Sequence, residues 1–129
     1  MKMELTINNE VYGFKFGFGW MREVNSLFKR PMEGFKGKEE RVGMQYVIAY
    51  IVDGDPEYLI TALDLANKGQ TPRITRQTLE EYIESDECDI DALFEQVIDF
   101  LQSANVSKKV TKAIVEAAAK AKAEAAAEN

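Results

Sequence analysis

Residues 12–25 read YGFKFGFGWMREVN. Tyr12, Phe14, Phe16, Phe18 and Trp20 recur at every second position, interleaved with Gly13, Gly17 and Gly19. Upstream, Met3, Leu5 and Ile7 alternate with Glu4, Thr6 and Asn8, the period-two pattern of a half-buried strand. Between the two runs, Asn8-Asn9 supplies residues that tolerate the positive φ of a tight turn. The spacing predicts a β-hairpin with one aromatic face. Two strands alone are marginal in water, so another element must cover that face. It follows at once. Trp20, Met21, Val24, Leu27 and Phe28 fall on one stripe of an α-helix, with Arg22, Glu23, Asn25 and Ser26 opposite. Gly17 and Gly19 mark the change of period and are expected to permit a sharp turn and a close backbone approach. A stacking platform for bases would need the aromatics exposed among basic neighbours. Because the hairpin has no other apolar face, the stretch reads as core.

A chain of 129 residues, 46% hydrophobic and 29% charged, fits one soluble globular domain that folds without metals or disulfides. Its apolar runs fall short of the roughly 18–20 residues that span a bilayer, so no membrane partner is expected. The opening MKMELTINNE does not read as a secretory signal. The single cysteine, Cys88, suits a reducing cytoplasm. The formal charge of −6 is uneven: residues 1–52 carry eight Lys/Arg against six Asp/Glu, whereas residues 77–106 carry nine Asp/Glu and no Lys or Arg. Such an acidic block repels phosphate, so nucleic acid is not an expected partner.

Further along, Lys29–Arg41 (KRPMEGFKGKEER) combines proline, two glycines and mixed charge and reads as a mobile loop. Met44, Val47, Ile48 and Ile51 predict a helix ending at Asp53-Gly54. Asp55-Pro56-Glu57 is a strong start signal: an N-cap, a proline at the first helical position and an acid at the positive dipole end. That helix runs through Leu59, Ile60, Leu63 and Ala66 to Lys68-Gly69, where glycine ends it. A short helix over residues 75–84 presents Leu79, Tyr82 and Ile83. Asp89 caps another, striped by Leu93, Phe94, Val97 and Leu101. Ser107 opens a last helix of about 20 residues, or about 30 Å, whose second half is alanine-rich and intrinsically helical. Beyond Val110, Ile114 and Val115 it offers a partner only alanines, so this end is expected to fray or project. The expected fold is α+β, mainly α: an N-terminal hairpin on a bundle of about five to six short helices, with a long Ala-rich C-terminal helix. Residues 3–105 form the expected globular domain and residues 106–129 an Ala/Lys/Glu-rich helix or tether.

Catalytic chemistry is hard to assemble. The chain contains no histidine, which removes the commonest general base and metal ligand and leaves Ser85, Ser103 and Ser107 without a triad partner. Cys88 sits among Asp86, Glu87 and Asp89, which disfavour a thiolate. The acidic run DECDIDALFE lacks the glycine and ligand spacing of a calcium loop, and GFKFGFG lacks the spacing of a phosphate loop. We expect no enzyme, no cofactor and no metal, but a protein that works through its surfaces.

Taken in order, three stretches resemble the tail assembly chaperones of long-tailed bacteriophages: MELTINNEVYGFKFGFGWMREVN, YVIAYIVDGDPEYLITALDLA and LEEYIESDECDIDALFEQVIDFLQ. The resemblance covers roughly residues 3–105. It implies a non-structural protein of the host-cell cytoplasm that binds and solubilises the hydrophobic tape measure protein and promotes tail tube polymerisation around it. The implied partners are the tape measure and tail tube proteins. A helical client calls for apolar grooves between helices, and Tyr46, Tyr50, Tyr58, Tyr82 and Phe94 are the candidate walls. Complementary charge at the two ends of the chain also suggests head-to-tail self-association, with Glu80, Glu81 and Glu84 as the acidic contact. The alternative reading is a homo-oligomeric structural subunit of a tail or connector, pairing through its hairpin edge.

Overall fold

The computed structural model describes residues 2–128 and places two hairpins and six helices among them. The class is α+β and mainly α, as expected. Strands β1 (Met3–Ile7) and β2 (Glu10–Phe14) pair antiparallel, with Met3 opposite Phe14 and Leu5 opposite Tyr12. Asn8 and Asn9 take φ of 54° and 66°, the left-handed pair whose twist matches a two-residue hairpin. Met3, Ile7, Phe14 and Phe16 are buried, and β2 packs chiefly against helix α3 (Pro56–Asn67) rather than against helix α1 (Phe18–Asn25), the cover expected from sequence. Trp20 meets Phe16 edge to face at 5.3 Å and donates its indole N–H to the Ala62 carbonyl at 3.1 Å. The aromatic run is therefore core, with Phe18, 61% exposed, as its exception.

Two local expectations fail here. Helix α1 stops at Asn25 instead of carrying Leu27 and Phe28. Asn25 spends its side-chain oxygen on the Met44 amide at 2.9 Å, and the Ser26 hydroxyl bonds back to the Glu23 carbonyl at 2.7 Å. Both side chains compete with helical continuation. Lys29–Arg41, expected as a mobile loop, folds as a second hairpin of β3 (Lys29–Pro31) and β4 (Glu39–Arg41), braced by an Arg30–Glu40 ion pair. Neither strand has a buried face, so no alternation could announce it.

The remaining helices are α2 (Gly43–Val52), α3 (Pro56–Asn67), α4 (Arg76–Glu84), α5 (Ile90–Ser103) and α6 (Lys108–Ala127). Capping side chains mark the starts of α3, α4 and α5, whereas α2, after Val42, and α6, after Ser107, begin without one. Asp55, Thr75 and Asp89 each accept a backbone amide of the first turn, while Gly54 and Gly69 take positive φ where α2 and α3 end. One continuous core gathers Val47, Ile48 and Ile51 of α2, Leu59 and Leu63 of α3, Leu79 of α4, and Leu93, Val97 and Leu101 of α5.

Close backbone approach occurs elsewhere than expected. A Cβ on Gly19 would meet nothing, and one on Gly17 would meet only the Lys15 side chain. A Cβ on Gly43 would collide with the Val24 carbonyl and lie 2.8 Å from the Asn25 Cα, so Gly43 lets α2 abut the end of α1. Helix α6 docks by its first turns. Ser107 and Thr111 are fully buried, and the Ser107 hydroxyl donates to the Leu101 carbonyl at 2.8 Å, at the end of α5. From Glu116 onward the helix is exposed except at Ala118.

Candidate interaction surface

The Asp53–Asp55 turn decides the surface. It folds α3 back beside α2, bringing Tyr58 in the first turn of α3 against Tyr50 near the end of α2. The two rings stack at 4.3 Å with 9° between their planes. Tyr46 lies one helical turn before Tyr50, on the same face. Phe28, released by the early end of α1, packs beside all three rings, at 5.3 Å from Tyr46, 6.3 Å from Tyr50 and 5.8 Å from Tyr58. Such ring pairs are worth about 0.5–1.5 kcal/mol beyond the area they bury.

This cluster is assembled but not closed. Tyr46 remains 41% exposed, Tyr50 39% and the adjoining Leu27 48%. Acids border it at Asp55 and Glu57. On the hairpin side, Arg30 bonds to Glu40 and lies within reach of the Tyr46 hydroxyl. Exposed apolar groups that cluster, rather than scatter singly, mark a contact surface.

Of the five predicted groove residues, the fold brings Tyr46, Tyr50 and Tyr58 together. Tyr82 lies on α4 and Phe94 on α5, both half-buried against the core, and neither joins the ring contacts of the cluster. Leu27 and Phe28 belong to the surface and were read instead as a helical core stripe. The adjacent Asn25-Ser26, two poor helix formers, was the signal that the helix stops before them.

The acidic residues of α4 are partly engaged. Arg76, one position before the acidic block, reaches Glu80 at 3.7 Å and Glu57 at 3.6 Å. Glu81 accepts from Gln77 at 3.2 Å, and Glu84 is exposed. Cys88 is half-buried. Burial pushes its thiol pKa up, the Tyr82 hydroxyl partly offsets that, and Asp89 raises it further. The acids flanking Cys88 therefore matter less than its burial. Among the described residues no group of His, Cys, Asp and Glu is placed to hold a metal ion, and no helix is long and apolar enough to cross a membrane.

The family model described as phage tail assembly chaperone protein, TAC, matches residues 4–116. The chain belongs to the phage tail assembly chaperone family. No curated protein and no solved structure matches it. The family is one of assembly factors rather than catalysts. The matched stretch of the chaperone runs from β1 into the docked half of α6 and contains the whole aromatic cluster.

Proposed function

We propose that this tail assembly chaperone binds and solubilises the tape measure protein in the host cytoplasm and promotes polymerisation of tail tube subunits around it. The observation that supports this reading is the open cluster of Leu27, Phe28, Tyr46, Tyr50 and Tyr58. A long apolar helix laid across it exchanges water for aromatic contact, the helix-in-groove mode of recognition. Tyrosines suit the task because they combine contact area with a polar tip and few rotatable bonds, and they are enriched among interface hot spots. The net charge of −6 opposes self-aggregation of a protein carrying such a surface. Binding alone suffices for this role. With no histidine in the chain, the chaperone is proposed to act without hydrolytic or redox chemistry.

Co-expression with the tape measure protein of the same phage tests the proposal. The tape measure protein should accumulate in the soluble fraction and co-purify with the chaperone. Equal insolubility with and without the chaperone would contradict it.

A further inference from the structure

Two recesses flank the first turns of α3, and Glu57 lines both. One is walled by Leu27, Phe28 and Tyr58, with Asp55 and Thr61 beside them, and continues into the open rings of Tyr46 and Tyr50. The other, of about 500 Å³, lies between the starts of α3 and α5 and the end of α4. Ile60, Ile83 and Ile90 supply its apolar lining, with Glu80 and Glu84 at its rim. At 3.6 residues per turn, Tyr58 and Thr61 fall on one side of Glu57, and Pro56 and Ile60 on the other. The aromatic and isoleucine recesses therefore adjoin across a single acidic side chain.

The acids exceed what the fold uses. Asp55 caps α3 by accepting the Glu57 and Tyr58 amides at 2.9 and 3.4 Å. Glu57 and Glu80 share one cation, Arg76, at 3.6 and 3.7 Å. That guanidinium also donates to the Thr61 hydroxyl at 3.1 Å. Glu84 is exposed and stands one turn beyond Glu80 on the same face of α4, where like charges repel. Among the described residues, the linings of the two recesses hold four carboxylates and no lysine or arginine.

We propose that this surface selects one class of client helix, an apolar stripe bordered by lysine or arginine. The inference rests on the client-binding reading and adds the chemistry of the segment bound. The stripe fills the aromatic and isoleucine recesses in turn, and its bordering cations meet Asp55, Glu57 and Glu84. Charge complementarity decides the occupant: an apolar helix without cations leaves the carboxylates facing it with one guanidinium between them, and a helix bordered by acids is repelled. Lysine and arginine also lay their aliphatic stems along apolar walls while the charged head stays in water, which suits a rim where Glu80, Ile83 and Glu84 lie together. Charges at the border of a contact govern partner choice more than total affinity, so the rings anchor the client and the acids select it.

Peptides of about 20 residues, each about 30 Å of helix, that tile the tape measure protein of the same phage provide the test. They are titrated with purified chaperone and followed by fluorescence anisotropy. The tightest binders should carry lysine or arginine beside their apolar stripe, and their affinity should fall as salt rises. Replacing those cations with glutamine should weaken binding roughly five- to tenfold. The chaperone variant Glu57→Gln/Glu84→Gln alters exposed positions, so it should keep the wild-type melting curve and lose as much affinity. Glutamine peptide and variant together should lose no more than either alone, because they remove the same contact. Tightest binding by peptides without cations, an affinity untouched by salt and by both substitutions, or additive losses would each overturn the selectivity while leaving the client-binding reading in place. Binding of no peptide at all would overturn both.

Discussion

Fully buried and fully bonded, Asn67 ties the first hairpin to the segment between α3 and α4. Its amide nitrogen donates to the Gly13 carbonyl at 2.9 Å and to the Pro72 carbonyl at 3.2 Å. Its oxygen accepts from the Ile74 amide at 2.7 Å and from Arg73 at 3.1 Å. Asn67→Asp keeps the shape but turns both donations into repulsions between oxygens. A buried group left unsatisfied costs about 1–3 kcal/mol, so a loss of roughly 2–5 kcal/mol is expected in urea melts. A loss below about 0.5 kcal/mol, typical of a surface site, would contradict the role given to Asn67. Cys88 supports a second prediction. With its thiol pKa raised, first by burial, it should alkylate more slowly at neutral pH than an unperturbed cysteine, and the rate should keep rising well above the usual thiol range. Tyr82→Phe removes the hydrogen bond that lowers the pKa and should slow the reaction further. A rate that levels off at the pH of a free thiol would show that the side chain is not so placed. Asn8-Asn9, Asp55-Pro56 and Asp89 were legible in the sequence because their partners lie within three residues. Asn67 and Gly43 were not, because the groups they meet, Gly13 and Val24, lie 54 and 19 positions away.

The same distinction holds for whole elements. Helices α3 to α5 were readable because each has a cap and an apolar stripe, α2 by its stripe alone, and the first hairpin because its two strands alternate. The end of α1 was misread because apolar residues at helical spacing continue past Asn25, although there Leu27 is exposed and Phe28 packs only at the edge of the core. The second hairpin was missed because three-residue strands exposed on both faces leave no periodic trace. Helix α6 divides into unequal halves. Its first turns bury Ser107 and Thr111, whereas its distal half exposes almost every alanine. Ending the chain at Glu116 should therefore shift stability by less than roughly 0.5 kcal/mol. Ending it at Val106 strips the Ser107 hydroxyl from the Leu101 carbonyl and uncovers α2 and α5, and should cost several times more. Urea midpoints of the two truncations give the comparison. Equal losses would show that the alanine half is packed after all.

At the scale of the molecule, the aromatic residues serve two ends. Phe14, Phe16 and Trp20 close the core. Phe28, Tyr46, Tyr50 and Tyr58 gather at one side of it and stay open to water. Tyr46, Tyr50 and Tyr58 could be placed on two neighbouring helices from sequence because α2 and α3 were legible. Which of them would meet depended on the turn at Gly54 and on where α1 stops. The account rests on that open cluster acting as the client surface. The most direct test compares wild-type chaperone with a Tyr46→Ser/Tyr50→Ser variant, each co-expressed with the tape measure protein, after matched melting curves establish that both fold. The soluble fraction of tape measure protein should fall to the level seen without chaperone when the two exposed rings are removed. Undiminished solubility with the variant would contradict the account and move the client to another face.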